Sequence, residues 1–269
     1  LPFKMSQLGP GASVGDVNGD GLEDMFVGGA KFYSGIFYLQ QANGTFKSKF
    51  LAGVAEDKMK LGEDLGTLLV DMDRDGDLDL YITRGGTEGK SGASSFQDVI
   101  YTNDGRGNFT LSANALPIFT ESNAAVRALD FDRDGDLDLY VSGRNVAFQY
   151  PMGTVSRLLR NDSKPGVIKY TDMTRVWAPE LLVDNLACDA ICTDFNQDGW
   201  VDIVVAGEFA PIQFFANQKG HLTKLANTGL DELTGLWGSI TTADFDQDGD
   251  MDFIAGNMGK NTLLRATSK

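Results

Sequence analysis

A single histidine, His221, and two cysteines, Cys188 and Cys192, stand among 269 residues. Histidine triads and zinc sites with several imidazole ligands therefore have almost nothing to draw on. Four positions apart in an extended strand, the cysteine Cα atoms would be roughly 13 Å apart, too far for a disulfide. Both are expected as buried, reduced thiols. Bases are scarce as well: 23 against 38 acids give a formal charge of −15 and a pI near 4.4. Nucleic acids and anionic membranes call for basic surface, so neither is an expected partner. No apolar run approaches the ~20 residues of a membrane span, and Leu1-Pro2-Phe3-Lys4 does not read as a signal peptide. The chain is expected to be either cytosolic or a mature or trimmed piece of something longer. Prolines number seven against 32 glycines, which points to many tight turns and to internal repeats.

One nonapeptide recurs five times. It reads Asp16-Val17-Asn18-Gly19-Asp20-Gly21-Leu22-Glu23-Asp24, then Asp71-Met72-Asp73-Arg74-Asp75-Gly76-Asp77-Leu78-Asp79. It returns as Asp130-Phe131-Asp132-Arg133-Asp134-Gly135-Asp136-Leu137-Asp138 and Asp194-Phe195-Asn196-Gln197-Asp198-Gly199-Trp200-Val201-Asp202. The fifth copy is Asp244-Phe245-Asp246-Gln247-Asp248-Gly249-Asp250-Met251-Asp252, and the first residues lie 55, 59, 64 and 50 positions apart. Oxygens at positions one, three and five can curl around one point, and glycine at six permits the turn that closes the curl. The carbonyl at seven (Leu22, Asp77, Asp136, Trp200, Asp250) then points inward, and the carboxylate at nine caps the cluster. An all-oxygen set of this size suits Ca²⁺ better than zinc, copper or magnesium. Up to five Ca²⁺ are expected, which would move the formal charge from −15 to −5. Loops one and four, with Asn18 and Asn196 at position three, are expected to bind more weakly.

An EF-hand needs a glutamate at position twelve and a helix beyond it. Position twelve here is Val27, Ile82, Val141, Val205 and Ala255, and the flanking segments are short, apolar and β-prone. Each loop is therefore expected in a hairpin. A second hairpin follows in each unit, as in Phe37-Tyr38-Leu39 with Asn43-Gly44, or Leu158-Leu159-Arg160-Asn161-Asp162. In the fifth unit Leu263-Leu264-Arg265 is cut off by the end of the sequence. Four strands per unit of roughly 50–60 residues predict an all-β fold, a β-propeller of four-stranded blades with calcium-binding hairpin loops. The repeats fall near 8–60, 61–120, 121–180, 181–233 and 234–269, the last incomplete, within one propeller region over 1–269.

These loops and strands resemble FG-GAP (VCBS) repeats, found in integrin α-chain propellers and many bacterial surface proteins. Leu8-Gly9-Pro10-Gly11-Ala12, Val205-Ala206-Gly207-Glu208-Phe209 and Ala255-Gly256-Asn257-Met258-Gly259-Lys260-Asn261 resemble large secreted VCBS-repeat proteins of Bacteroidetes. Those are similar to cartilage acidic protein and often carry an ASPIC/UnbV module. The resemblance implies a calcium-binding propeller at the cell surface, often a lipoprotein, with no one settled activity. It also implies a piece of a larger propeller. Either further blades lie in sequence outside this chain, or residues 1–6 supply the strand that closes a five-bladed ring.

Hairpin topology places the acidic loops and the strand three–four turns on one face. The opposite face receives the segments 28–35, 84–98, 144–157, 207–212 and 256–261. They carry Lys31, Phe32, Tyr33, Arg84, Lys90, Phe96, Arg144, Asn145, Phe148, Tyr150, Asn257 and Lys260. Trp177 and Trp237 are expected in blade-to-blade connections there. Such side chains can stack on sugars or anchor a peptide, and they can equally plug the gaps between blades. The expected function is a binding or adhesion module for an extracellular glycan or protein, or for other parts of a surface complex. The alternative is a carbohydrate-active enzyme, polysaccharide lyase or glycosidase, for which Glu208 is the carboxylate to watch although no partner is evident. Asn43, Asn108 and Asn161 match glycosylation sequons at a frequency chance can supply, and His221 is expected at an exposed turn.

Overall fold

The computed structural model describes residues 9–51, 60–86 and 96–259. Strands β1 (Ala12–Gly15), β2 (Asp24–Val27), β3 (Ile36–Gln40) and β4 (Phe46–Phe50) make the first unit, an antiparallel meander. The second holds β5 (Glu63–Val70), β6 (Asp79–Gly85), β7 (Val99–Thr102) and β8 (Thr110–Leu111). The third holds β9 (Ser122–Leu129), β10 (Asp138–Asn145), β11 (Arg157–Asn161) and β12 (Tyr170–Asp172). A short helix α1 (Thr174–Trp177) and a 3₁₀ turn (Pro179–Leu182) lead to β13 (Ala187–Thr193), β14 (Asp202–Ala210), β15 (Gln213–Asn217) and β16 (Leu222–Lys224). Of the fifth unit, β17 (Gly235–Ala243) and β18 (Asp252–Asn257) are described. The all-β expectation and the four-stranded antiparallel units hold. Residues 1–6, Leu8, Lys90, Lys260, Asn261 and the strand expected at Leu263–Arg265 lie outside the described residues, and with them the question of closure. No helix among the described residues is long and apolar enough to cross a membrane.

The core lies between the sheets. Side chains alternate along a strand, so the second strand of an inner unit feeds two interfaces at once. In β10, Leu139 and Val141 pack with Met72, Tyr81 and Val126 of the preceding side. Tyr140 points the other way, to Ala187, Ile203 and Phe215. In β14, Ile203 and Val205 join that same cluster, while Val204 and Ala206 meet Ile240 and Phe253 of the fifth unit. This explains why these strands read as unbroken apolar runs rather than an alternating pattern. Each fully buried Leu or Val contributes about 1.5–3 kcal/mol by leaving water.

First strands lie against first strands, β1 on β5, β5 on β9, β9 on β13 and β13 on β17. Their approach is close: a Cβ on Gly66 would sit 2.2 Å from the Ala124 carbonyl oxygen, so only glycine fits. Polar bonds cross the same seams. Thr83 Oγ1 donates to Ala124 O (2.6 Å), Arg127 Nε donates to Ala190 O (2.8 Å), and the Arg127 guanidinium pairs with Asp189. Asp189 accepts in turn from Ile240 N–H at 3.1 Å. Units four and five are also joined by backbone, since the end of β14 pairs with β17 through Glu208–Leu236 and Ala210–Gly235.

A second device recurs at the end of the third strands. Asn103 Nδ2 donates to Val17 O of the preceding unit (2.8 Å) and to Leu78 O of its own (3.1 Å). Asn161 does the same to Met72 O (2.9 Å) and Leu137 O (3.1 Å), and Asn217 reaches Phe131 O (2.9 Å). All three asparagines are buried, so the sequon at Asn161 is inaccessible in the folded chain. Gln40 occupies the corresponding place in the first unit.

Cys188 and Cys192 both lie on β13, unpaired with each other, and burial pushes both thiols up to about 12. Two outcomes are expected. Asn161→Ala should lower the unfolding free energy by about 2–4 kcal/mol in urea melts, because two buried carbonyls lose their donor, whereas Gln40→Ala should cost under about 0.5 kcal/mol. The buried Cys188 thiol should react with a disulfide reagent only at the rate of unfolding.

Candidate cation loops and the opposite loop face

All five acidic loops close in one register. The residue before position one pairs with position nine: Gly15–Asp24, Val70–Asp79, Leu129–Asp138, Thr193–Asp202 and Ala243–Asp252. Glycine at six takes a left-handed φ in every copy, 83°, 99°, 89°, 86° and 97°. Position four is left-handed too, in Gly19, Arg74, Arg133, Gln197 and Gln247, which residue type alone does not announce. Carboxylate-to-amide bonds hold the curl. Position five accepts from the N–H of position seven in each loop, as in Asp134 from Asp136 at 3.0 Å. Position one accepts from the glycine N–H in loops one, two, four and five.

Position nine has a structural task beside the expected one. One oxygen accepts from the N–H of position two in every loop, at 2.9–3.3 Å. The other accepts from the N–H that closes the third strand, Gln40, Asn161 and Asn217 at its last residue and Asn103 just past β7, at 2.8–3.0 Å. Asp24, Asp79, Asp138 and Asp202 are consequently fully buried.

Carboxylate oxygens converge within 4.8 Å in three loops: Asp71, Asp73 and Asp79; Asp130, Asp132 and Asp134; Asp244, Asp246 and Asp248. In loops two and three, Asp73, Asp77, Asp130, Asp132 and Asp136 each bury an Oδ1 with no hydrogen-bond partner among the described residues. Burial, followed by neighbouring carboxylates, pushes Asp77 up to about 6, and burial carries Asp79 and Asp138 to about 7 against their backbone hydrogen bonds. Converging, orphaned, all-oxygen donors of this kind fit a hard divalent cation. Asn18 and Asn196 supply neutral oxygens in loops one and four, Asn18 Oδ1 accepting from Asp20 N–H at 3.0 Å. Asp20, Asp75, Asp194, Asp198, Asp250 and Asp252 occupy their expected loop positions, with Leu22 and Trp200 at seven.

The loops also touch each other across units, which the sequence reading missed. Arg74 lies 3.9 Å from Asp136, and Arg133 stacks 5.3 Å over the Trp200 ring, each a position four meeting the next unit's position seven. Gly166 N–H, from the third unit's strand three–four turn, donates to Asp73 at 2.8 Å, which puts that turn on the acidic face.

On the opposite face the expected residues divide. Arg144 and Asn145 are buried, contrary to their expected display, and Phe96 is buried as the gap-plugging alternative has it. Trp177 lies in α1 and packs against Phe131, while Trp237 lies within β17, not in a connection, and packs against the cluster between units four and five. Both fill gaps because their rings span the space between adjacent sheets. Tyr33 (68%) and Phe148 (70%) are largely exposed, as is Asn257. Phe32, Phe148 and Phe209 share an unlooked-for feature: each is exposed with a left-handed φ, 67°, 59° and 57°. Lys31 sits 5.1 Å over Phe32, and Tyr150 and Phe209 have ring centroids 6.4 Å apart. Next to Phe209, Glu208 accepts from Arg144 Nη2 (2.7 Å) and Tyr150 OH (2.8 Å). Arg84 lies 3.9 Å from buried Asp64, which also pairs with Lys60 at 2.8 Å. His221 is exposed beside its turn, as expected.

Four-stranded antiparallel units, each carrying an acidic hairpin loop, define a repeat protein built on oxygen-rich turns. The chain belongs to the FG-GAP-like repeat family, whose sequence profile matches residues 16–82, 71–141 and 194–255. It is 25% identical over 218 residues to mouse (Mus musculus) cartilage acidic protein 1, covering 79% of this chain and 31% of that protein. The chain thus spans about a third of that relative's length. Among solved structures it is similar to rhamnogalacturonan lyase YesW, at 15% identity and a TM-score of 0.49 over 95% of this chain and 48% of that one. It is also similar to an Agrocybe aegerita lectin described as recognising non-reducing terminal N-acetylglucosamine, at 14% identity and a TM-score of 0.39 over 93% and 75%. Likenesses at this level carry no argument about what this chain binds.

Position nine as a staple makes a distinct prediction. With a chelator present, Asp138→Asn should still destabilise by about 2–3 kcal/mol in urea unfolding, because one buried N–H then faces an amide NH₂. Asp134→Asn, at an exposed position five, should change stability by under about 0.5 kcal/mol under the same conditions.

Proposed function

We propose that the chain is part of a calcium-stabilised, extracellular or cell-surface β-propeller whose opposite face binds a glycan or protein ligand. Acidic loops stiffen the scaffold, and the ligand meets the other ends of the strands. The packing of first strand on first strand supports a radial arrangement of the units. The single observation behind the binding reading is the trio Phe32, Phe148 and Phe209, exposed aromatics in backbone conformations costly for a phenylalanine. Strain of that kind, about 1–3 kcal/mol per residue, concentrates at ligand sites. Aromatic faces beside Lys31, Tyr33 and Tyr150 are suited to stacking on sugar rings or holding an apolar peptide side chain.

Binding fits this face better than catalysis does. Glu208 is committed to Arg144 and Tyr150. Burial, and then Glu208 itself, push the Tyr150 phenol well above its ordinary range, so it donates a hydrogen bond rather than abstracting a proton.

Two measurements test the proposal. Glycan-array and pull-down signals should fall about tenfold or more in a Tyr33→Ala, Phe148→Ala, Tyr150→Ala variant; unchanged signals would remove the ligand face. Calcium should raise the melting midpoint and a chelator lower it, since an ion bound only by the folded chain adds its binding free energy to folding. Titration calorimetry should lose its tightest sites in Asp73→Ala and Asp132→Ala, and its weaker ones in Asp16→Ala and Asp194→Ala. The reverse order would contradict the ranking of the loops.

A further inference from the structure

The fourth unit carries a groove that neither the acidic loops nor the buried Glu208 pair explains. It opens where three segments of the opposite face meet: the end of the 3₁₀ turn with Asp184 and Asn185, the start of β15 at Gln213, and the stretch leaving β16 from Lys224 to Asp231. Its volume is about 400 Å³, within the range of small-ligand sites. A small notch shares Asn185 and Gln213 with it and reaches Gly207 and Ala210, which flank Glu208 and the strained, exposed Phe209. Tyr150 lies alongside that ring.

The polar groups here are largely unspent. Asn185 Oδ1 accepts from Ala187 N–H, but its Nδ2 has no partner among the described residues, nor do the Gln213 amide, the Asp184 carboxylate and the Lys224 ammonium. Together they offer donors and acceptors on both sides of a concave strip, which is what a chain of vicinal hydroxyls requires. Charge narrows the class. Glu180, Asp184 and Asp231 stand against one lysine, in a protein of formal charge −15. A polyuronate would meet like charge along the whole strip, whereas neutral hydroxyls or amino groups would not.

We infer that this groove is a binding subsite for a non-acidic oligosaccharide, whose ring stacks at Phe209 while its hydroxyls bond Gln213, Asn185 and Asp184. The inference rests on the opposite face being a ligand face and names the ligand class for one part of it.

The test uses the full chain on an array holding neutral, amino-bearing and uronate oligosaccharides, beside a Gln213→Ala, Asp231→Ala variant and a Phe209→Ala variant. Binding is expected among neutral or amino-bearing glycans and not among uronates. It should drop about tenfold or more in both groove variants while their melting midpoints stay within about 2 °C of the parent. Binding confined to uronates overturns the inference. So does binding that survives both groove variants; if it is instead lost in the Tyr33, Phe148 and Tyr150 variant, the face still binds and the groove assignment alone falls. An array without signal also overturns it. A protein partner whose capture depends on Tyr33 and Phe148 would then keep the ligand face, and failure of both assays would remove the two readings together.

Discussion

A buried carboxylate at the base of each of the first four acidic hairpins is the constraint around which the rest is arranged. Asp24, Asp79, Asp138 and Asp202 lie inside the fold, and burial alone would make each a liability. Each is tolerated because two backbone amides, one from its own turn and one from the end of the third strand, donate to its two oxygens and leave further lone pairs free. One side chain thereby sets the turn and the register of three strands. It also gathers the remaining acids of the nonapeptide above it, so the concentration of negative charge follows from the way the hairpin is built. A cation there would complete an arrangement that hydrogen bonds have already shaped.

The two faces of the protein are separated by the same geometry. Antiparallel meanders send first-to-second and third-to-fourth connections one way and all others the opposite way. The acidic connections are short, alike and mutually braced, by Arg74 on Asp136 and Arg133 on Trp200. The connections on the other side differ in length and composition between units, and there the strained phenylalanines and the groove occur. Uniform chemistry on one face and variable chemistry on the other is how a repeat scaffold combines rigidity with selectivity.

Much of this was legible in the residues themselves. Five nonapeptides with glycine at six announced the hairpins, because few side chains accept the φ that position takes. Apolar runs such as Leu139-Tyr140-Val141 announced strands, and the fold shows them buried on both sides. The asparagine links were not legible, since an Asn before a turn reads as part of the turn; its amide acts on a carbonyl 86–89 positions earlier. The display of Arg144 and Asn145 was misjudged for a similar reason. Polarity marks them as surface, and only the fold reveals Glu208 brought to Arg144 from 64 residues away. Trp237 was misplaced because β17 begins earlier than its apolar pattern suggests, its start being held by the end of β14.

The asparagine links all run backwards along the chain. Val17, Met72 and Phe131 leave their carbonyls for a residue of the following unit to cover. During synthesis from the N-terminus, units one, two and three are not sealed when their own four strands have emerged; each waits for the end of the third strand of its successor. Assembly on the ribosome therefore trails translation by nearly one whole sheet, and long-range closures of this span are slow steps that leave apolar faces open meanwhile. A premature stop ahead of Asn103, Asn161 or Asn217 within its unit would leave two sheets unfinished rather than one.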